Sequence, residues 1–488
     1  MINSNEFRGK AGIIGSGRSI YIASVFILNV GLARSLGTEM FGNFQQVFMF
    51  SAVFMILMLG IPETMFYFLP RLTSEERTRF LGQSLMFLAL AGGLIVIVFW
   101  FGAPIFANKI QGNPSIEPLF RMFGIYGAFL VASSFADPVF ITFQKIRYLF
   151  VLSVVHGLFF IVLTGWQYVT KSSVHTLFTA MAVFGIFKYF LAVILLFSMR
   201  AKTGKISFFR GKSTLLLQLS FSLPIALSIT IEIISRFLDK FVVSIFFGPE
   251  TLGIYYVGAL EIPLISVVVS SVYNVVSPVL NSLHHKNDLE GFTDLIRKTF
   301  KFISKIIWPI FSYLFVFADH LIPLVFKPEY MEAVKPFKIY LLLMPLRIAL
   351  YSVIVLSIGL PRAVFWSAFV SLAMNFILSI VLAIHVGFLG PAIATVVSSY
   401  FHVGVLLYII KKGLNIRLEN LIPFNSLFTV AITCGFAVLL TYALTINFSD
   451  DFTAIVSSLP IFTGAYLFLG SKAGFIRIAD IRKVLGGR

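Results

Sequence analysis

LGTEMFGNFQQV, residues 36–47, has a near-echo in FGPETLGIYYV at 247–257. Both stretches carry a bulky apolar residue, a glycine, a glutamate two positions on, a second glycine and then an aromatic residue. The matched pairs Gly37/Gly248, Glu39/Glu250, Gly42/Gly253 and Phe44/Tyr255 all stand 211 positions apart. Locally the motif reads as a turn. Glycine supplies a backbone conformation closed to other residues, and glutamate can accept from the free N–H groups that open a following helix. A small turn repeated at one offset, each time before a long apolar run, implies a duplicated architecture.

Composition says what kind of architecture. Hydrophobic residues make up 58% of the 488, charged residues 12%, and the mean hydropathy is +0.94. A soluble chain would carry about 25% charged residues. Apolar runs of ~20 residues, enough to cross a bilayer core, recur from end to end. They do not alternate in ~10-residue segments as a β-barrel would. The chain reads as an all-α, multi-pass membrane protein. Its opening, MINSNEFRGKAGIIGSGRSIY, has Arg18 inside the first apolar stretch and no small-residue cleavage site, so it reads as a retained first helix.

Cutting at polar and Gly/Pro-rich breaks gives fourteen runs. They lie near 12–33, 42–69, 80–102, 119–143, 149–169, 176–199, 214–238, 252–282, 302–321, 337–358, 363–386, 391–410, 421–444 and 453–470. With the N-terminus inside, 26 of the 38 basic residues fall in cytoplasmic segments and 9 in outer ones. Positive charge in short loops stays cytoplasmic, so both termini are expected in the cytoplasm, in an inner membrane. Basic loops beside anionic headgroups explain the net charge of +17; a nucleic-acid partner would call for a soluble basic module.

The motif copies fall between runs 1 and 2 and between runs 7 and 8, both at the outer face, so the two halves run in the same direction. A proline-ended run (Pro70, Pro278) and a polar cytoplasmic stretch follow each. The expected domains are a six-helix bundle at 1–200, a basic linker at 201–213, a second bundle at 214–412 and two extra spans with a tail at 413–488. Parallel repeats about an axis along the membrane normal are a transporter architecture, with substrate bound between the halves.

Several stretches, in order, carry a family resemblance: ARSLGTEMFGNFQ (33–45), GIPETMFYFLPR (60–71), LDKFVVSIFFGPETLGIYYVGALEIP (238–263), VFKPEYMEAVKPFKIYLLL (325–343) and NFILSIVLAIHVGFLGPAIATVVSSY (375–400). The chain resembles the polysaccharide transporters, the O-antigen-type flippases of the multidrug/oligosaccharidyl-lipid/polysaccharide exporter superfamily. Pro391 stands where that family's Gly-x-x-Gly-Ala usually has its first alanine, and spans 13 and 14 match only in being apolar. The resemblance implies a V-shaped pair of six-helix bundles working by alternating access. The implied substrate is polyprenyl-diphosphate-linked oligosaccharide, moved from the cytoplasmic to the outer leaflet, with membrane lipids and other polysaccharide-assembly membrane proteins as partners.

Such a substrate calls for a cationic, laterally open chamber. Arginine suits phosphate, because it keeps its charge and offers forked donors, and charges within a span usually face a bundle interior or water. Arg18, beside Gly15, Ser16 and Gly17, is the first candidate, with snorkelling to the headgroups as its bland reading. In ITIEIISRFLDKF, Glu232, Arg236 and Lys240 share one helix stripe and Asp239 neighbours Arg236. Arg236 or Lys240 would contact phosphate or sugar, unless the four merely neutralise one another. Glu63, after the kink-forming Pro62, could bind an ion or pair with Arg18. Asp137 beside Pro138 and Glu261 near Pro263 are further embedded acids, while Lys188 and Arg347 lie within runs 6 and 10.

His156, His385 and His402 lack paired ligand spacing and Cys434 stands alone, so neither metal nor cofactor is expected. GKST at 211–214 lacks the upstream glycine and strand of a phosphate loop, which leaves nucleotide-driven transport without support. Two other classes compete with the flippase. An ion-coupled multidrug or cation exporter of the same superfamily would depend on the embedded acids. A membrane glycosyltransferase or polymerase would need larger outer loops than these.

Overall fold

The computed structural model of the protein describes residues 4–199, 215–260, 262–446, 448 and 450–476, with no β-strand among them. The expected linker at 201–213 and Glu261 lie outside these residues. The chain forms two compact units, Met1–Gly253 and Ile254–Arg488.

The first unit contains α1 (Ser4–Phe48), α2 (Ser51–Leu57), α3 (Ile61–Phe68), α4 (Ser74–Pro104), α5 (Glu117–Ala132), α6 (Ala136–Thr142), α7 (Ile146–Thr170), α8 (Val174–Phe197) and most of α9 (Leu215–Gly258). Capping is explicit where the sequence offers it. At α4, Thr73 Oγ1 accepts from the Glu76 N–H while Glu76 returns a carboxylate oxygen to the Thr73 N–H, a reciprocal pair that satisfies two free donors. Lipid is as apolar as leucine, so packing rests on close approach of small residues. A Cβ on Gly31 of α1 would lie 2.0 Å from Thr164 of α7, and one on Gly92 of α4 would lie 2.7 Å from the Ala128 carbonyl oxygen of α5.

The first glycine of each motif copy divides α1 or α9 into two helical segments that meet at a kink. Gly37 has φ 78°, ψ 173°, and Gly248 has φ 79°, ψ −175°, a region essentially reserved for glycine. Neither Glu39 nor Glu250 caps the segment that follows: both are exposed, with no hydrogen bond to a backbone N–H among the described residues. The second glycines do something else. A Cβ on Gly42 would sit 1.7 Å from the Pro249 carbonyl oxygen, and one on Gly253 would sit 2.1 Å from the Thr38 carbonyl oxygen. Thr38 and Pro249 each follow the first glycine of their own copy. The two copies therefore pack reciprocally, as an isologous contact does about a local twofold.

Among the described residues, eleven helices are long and apolar enough to cross a membrane, or twelve when the pair Pro328–Leu341 and Met344–Ser357, bent by 43°, is taken as one. The fourteen runs exceed that number because Gly15–Leu57, with 43 residues, and Gln218–Gly258, with 41, each carry parts of two runs across a glycine break. Run 2 is itself interrupted, though Pro62 is not the cause. Leu59 (φ 47°) and Gly60 (φ 67°) stop α2, and Pro62 sits in the first turn of α3, where its missing N–H is not needed. The two run-ending prolines also differ, since Pro70 lies just past α3 and Pro278 lies inside a helix.

The second unit contains α10 (Pro263–His285), α11 (Leu289–Val316), α12 (Ala318–Phe326), α13 (Val334–Leu341), α14 (Tyr351–Ser357), α15 (Pro361–Val386), α16 (Gly390–Leu414), α17 (Leu418–Leu421), α18 (Phe424–Thr445) and α19 (Asp451–Lys472). Gly387 (φ 83°) ends α15, and Gly390 opens α16 against the Leu382 backbone, where a Cβ would fall at 2.3 Å. The last two spans pack on α11 around Tyr313, Phe317, Cys434, Phe462 and Tyr466, with Tyr313 Oη 2.9 Å from Ser458 Oγ. Those spans thus belong to the core of the second unit.

Candidate functional site

Arg18 on α1 meets Asp137 in the first turn of α6, at 3.6 Å, with their side chains 63% and 59% exposed. α1 comes close to α7 here because Gly17 faces Phe150 and Gly157 faces Ile20 and Ser24. The arginine is thereby held at bundle depth with its head accessible and its charge matched. Glu63, the partner weighed for Arg18, instead occupies the first turn of α3, half-buried, with no ion-pair partner among the described residues. α3 packs against α6, so the two acids lie on neighbouring helices.

A second polar chain lies inside the same unit: Lys188 Nζ of α8 lies 3.2 Å from His156 Nδ1, and His156 Nε2 lies 3.1 Å from Tyr126 Oη. His156 is buried among the rings of Tyr21, Phe160 and Phe184. With Lys188 donating to Nδ1, the ring proton sits on Nε2 and is donated to Tyr126. Gly185, three residues before Lys188, lets α8 approach Tyr126 closely, where a Cβ would stand 3.1 Å from its ring. The sequence alone assigns no role to His156 and gives Lys188 no partner. The available signal was a histidine inside an apolar run, which must find a partner when buried.

Replacing His156 by leucine strands the Lys188 amine and the Tyr126 hydroxyl, and is expected to cost about 1–3 kcal/mol. Adding Lys188→Met should recover part of that loss, because no amine is then left without an acceptor. A double-mutant cycle on thermal unfolding in detergent measures the coupling.

On α9, Arg236 and Glu232 form a 2.9 Å pair whose side chains are 58% and 70% exposed. Asp239 and Lys240 form a second pair at 3.3 Å, both buried, with Lys240 also donating to the Arg236 carbonyl. The four residues expected to act together are thus split into an accessible pair and a sequestered one.

A belt of amides, which sequence reading did not single out, surrounds the first motif. Gln45 donates to Asn29 and Gln46 to Ser244 of α9, at 2.8 and 2.9 Å. Asn113, beyond α4, donates to both Asn43 and Gln46, and Ser244 donates to Gln111. Asn43, Gln45, Gln46, Gln111 and Ser244 are buried. Neutral hydrogen bonds of this kind contribute ~0.5–1.5 kcal/mol each, few enough to be broken and remade.

Solved structures share this fold. The inward-facing conformation of a multidrug resistance MATE family transporter of the MOP superfamily aligns with a TM-score of 0.61 at 16% identity, over 81% of this chain and 95% of that one. A MOP superfamily transporter from Pyrococcus furiosus, described for the reverse polarity of its binding pocket, aligns with a TM-score of 0.58 at 15% identity, over 83% and 95%. The Vibrio cholerae MATE transporter VcmN in its bent form aligns with a TM-score of 0.52 at 14% identity, over 84% and 98%. This protein is therefore a multi-pass membrane protein with the MOP superfamily fold. The model of the polysaccharide biosynthesis protein family matches residues 31–335, and the chain belongs to that family. No curated protein matches its sequence.

Proposed function

We propose that the protein is a flippase that carries polyprenyl-diphosphate-linked oligosaccharide from the cytoplasmic to the outer leaflet of the inner membrane by alternating access, with both termini cytoplasmic. The observation that carries the reading is the Arg18–Asp137 pair, a 3.6 Å contact between α1 and α6 with both side chains accessible. Exposed pairs are weakly held, so a diphosphate can displace the carboxylate and take the guanidinium's forked donors. Membership of a polysaccharide biosynthesis family supports a sugar-bearing cargo. The reciprocal glycine contact and the amide belt lie at the end assigned to the outer face, where a reversible clasp would close the path.

Embedded acids favour the cation-exporter alternative, but Asp137 is matched by Arg18, Glu232 by Arg236 and Asp239 by Lys240, which leaves Glu63 to support it among the described residues. The deciding experiment is reconstitution of the purified chain in liposomes with fluorescent lipid-linked oligosaccharide. The sugar should become accessible to a lectin in the opposite leaflet faster than in protein-free vesicles. If it does not, while an organic cation is moved down an imposed proton or sodium gradient, the exporter reading replaces this one.

A further inference from the structure

In the second unit, at the end of the bundle assigned to the cytoplasm, α11, the start of α18 and the turn after α19 line a half-open cavity of about 510 Å³. Its lining is chemically one-sided. Lys301 and Lys305 stand four residues apart on α11, joined by the side chains of Ser304, Ser426 and Thr429, and no carboxylate lines it among the described residues. Val430 and Phe475 supply an apolar part.

Two neighbouring cations on α11 are already engaged. Lys298 pairs with Asp294 at 2.7 Å, and Arg297 donates to the carbonyl oxygens of Glu419 and Asn420. Lys301 and Lys305 have no acidic partner among the described residues. Two like charges at i, i+4 disfavour the helix that carries them unless something neutralises both.

The walls are held in place. Tyr466 of α19 donates to the Lys305 carbonyl at 2.8 Å, and the left-handed Gly474 (φ 77°) folds Ala473–Phe475 back across the opening. The volume falls in the range of small-ligand sites, and basic pockets between membrane helices on the cytoplasmic side suit phosphate headgroups.

We infer that this cavity binds the phosphate of an anionic glycerophospholipid: Lys301 and Lys305 would meet the phosphate, the Ser426 hydroxyl would donate to it, and Val430 and Phe475 would meet the start of the acyl region. The site joins the last two spans to α11, so its occupant would stiffen the second unit independently of any transported cargo.

The test is thermal unfolding of the delipidated, detergent-solubilised full chain. Phosphatidylglycerol, phosphatidylcholine or inorganic phosphate is added to the wild type, to Lys301→Gln/Lys305→Gln and to Lys411→Gln/Lys412→Gln. The last variant removes two exposed charges at the end of α16, away from the cavity lining. Phosphatidylglycerol alone should raise the wild-type midpoint by several degrees, by mass action on the folded state. That rise should vanish in the cavity variant and persist in the α16 variant. An equal rise with phosphatidylcholine, a full rise with inorganic phosphate alone, persistence in the cavity variant, or equal loss in both variants would each overturn the assignment.

Discussion

Alanine at Gly42 is expected to destabilise the protein strongly, and alanine at Gly253 should do nearly the same. Each new methyl would meet a backbone carbonyl oxygen, at 1.7 Å from Pro249 or 2.1 Å from Thr38. Backbone cannot swing aside as a side chain can, so the loss should reach or pass the upper end of the ~1–3 kcal/mol usual for overpacking. Gly37→Ala and Gly248→Ala should each lose about 1–3 kcal/mol for a different reason, because both backbones occupy a region essentially closed to alanine. Gly93 is the internal control. It lies in α4, a Cβ there meets nothing within 4 Å, and alanine is the better helix former by ~1 kcal/mol, so Gly93→Ala should be neutral or stabilising. Thermal unfolding of the five variants in one detergent gives the ranking. Gly42→Ala and Gly253→Ala melting with Gly93→Ala would refute the reciprocal contact.

The 211-residue offset was legible because glycine spacing is a property of the chain itself, and it led to a backbone geometry repeated to within a degree in φ. The glutamates beside those glycines misled, since a new helical segment does start after each break but both carboxylates stay exposed and cap nothing. Partner choice was hidden more deeply. Arg18 meets Asp137, 119 positions away, and not Glu63; Lys188 meets His156 across two helices. In a soluble helix the apolar stripe reports which face points inward. Here lipid and protein both favour apolar side chains, so the rotation of each helix leaves little trace in the sequence, and with it goes the identity of the residue opposite. Lys240 shows the same limit within one turn. Its spacing from Glu232 and Arg236 placed it on their stripe, yet its amine folds into a buried pair with Asp239.

Neutralising Arg18 should abolish most transport while leaving the fold intact, and the pattern across its partner separates binding from scaffolding. A charge-assisted hydrogen bond is worth ~1.5–3 kcal/mol, so Arg18→Gln should slow flipping of lipid-linked oligosaccharide by about 10- to 150-fold. Arg18→Lys keeps the charge and loses the fork, and should fall between the two. Asp137→Asn should act in the opposite sense at the binding step, because the carboxylate no longer competes with phosphate: half-saturation should move to lower substrate while turnover slows with product release. The double variant Arg18→Gln/Asp137→Asn is decisive. An ion pair that merely braces α1 against α6 is an exposed one, so removing both ends should restore near wild-type flipping. A guanidinium that holds the diphosphate cannot be replaced by removing its competitor, and the double variant should then be as slow as Arg18→Gln alone. Recovery in the double variant, with thermal stability unchanged throughout, would assign the pair to structure and move the anion site elsewhere.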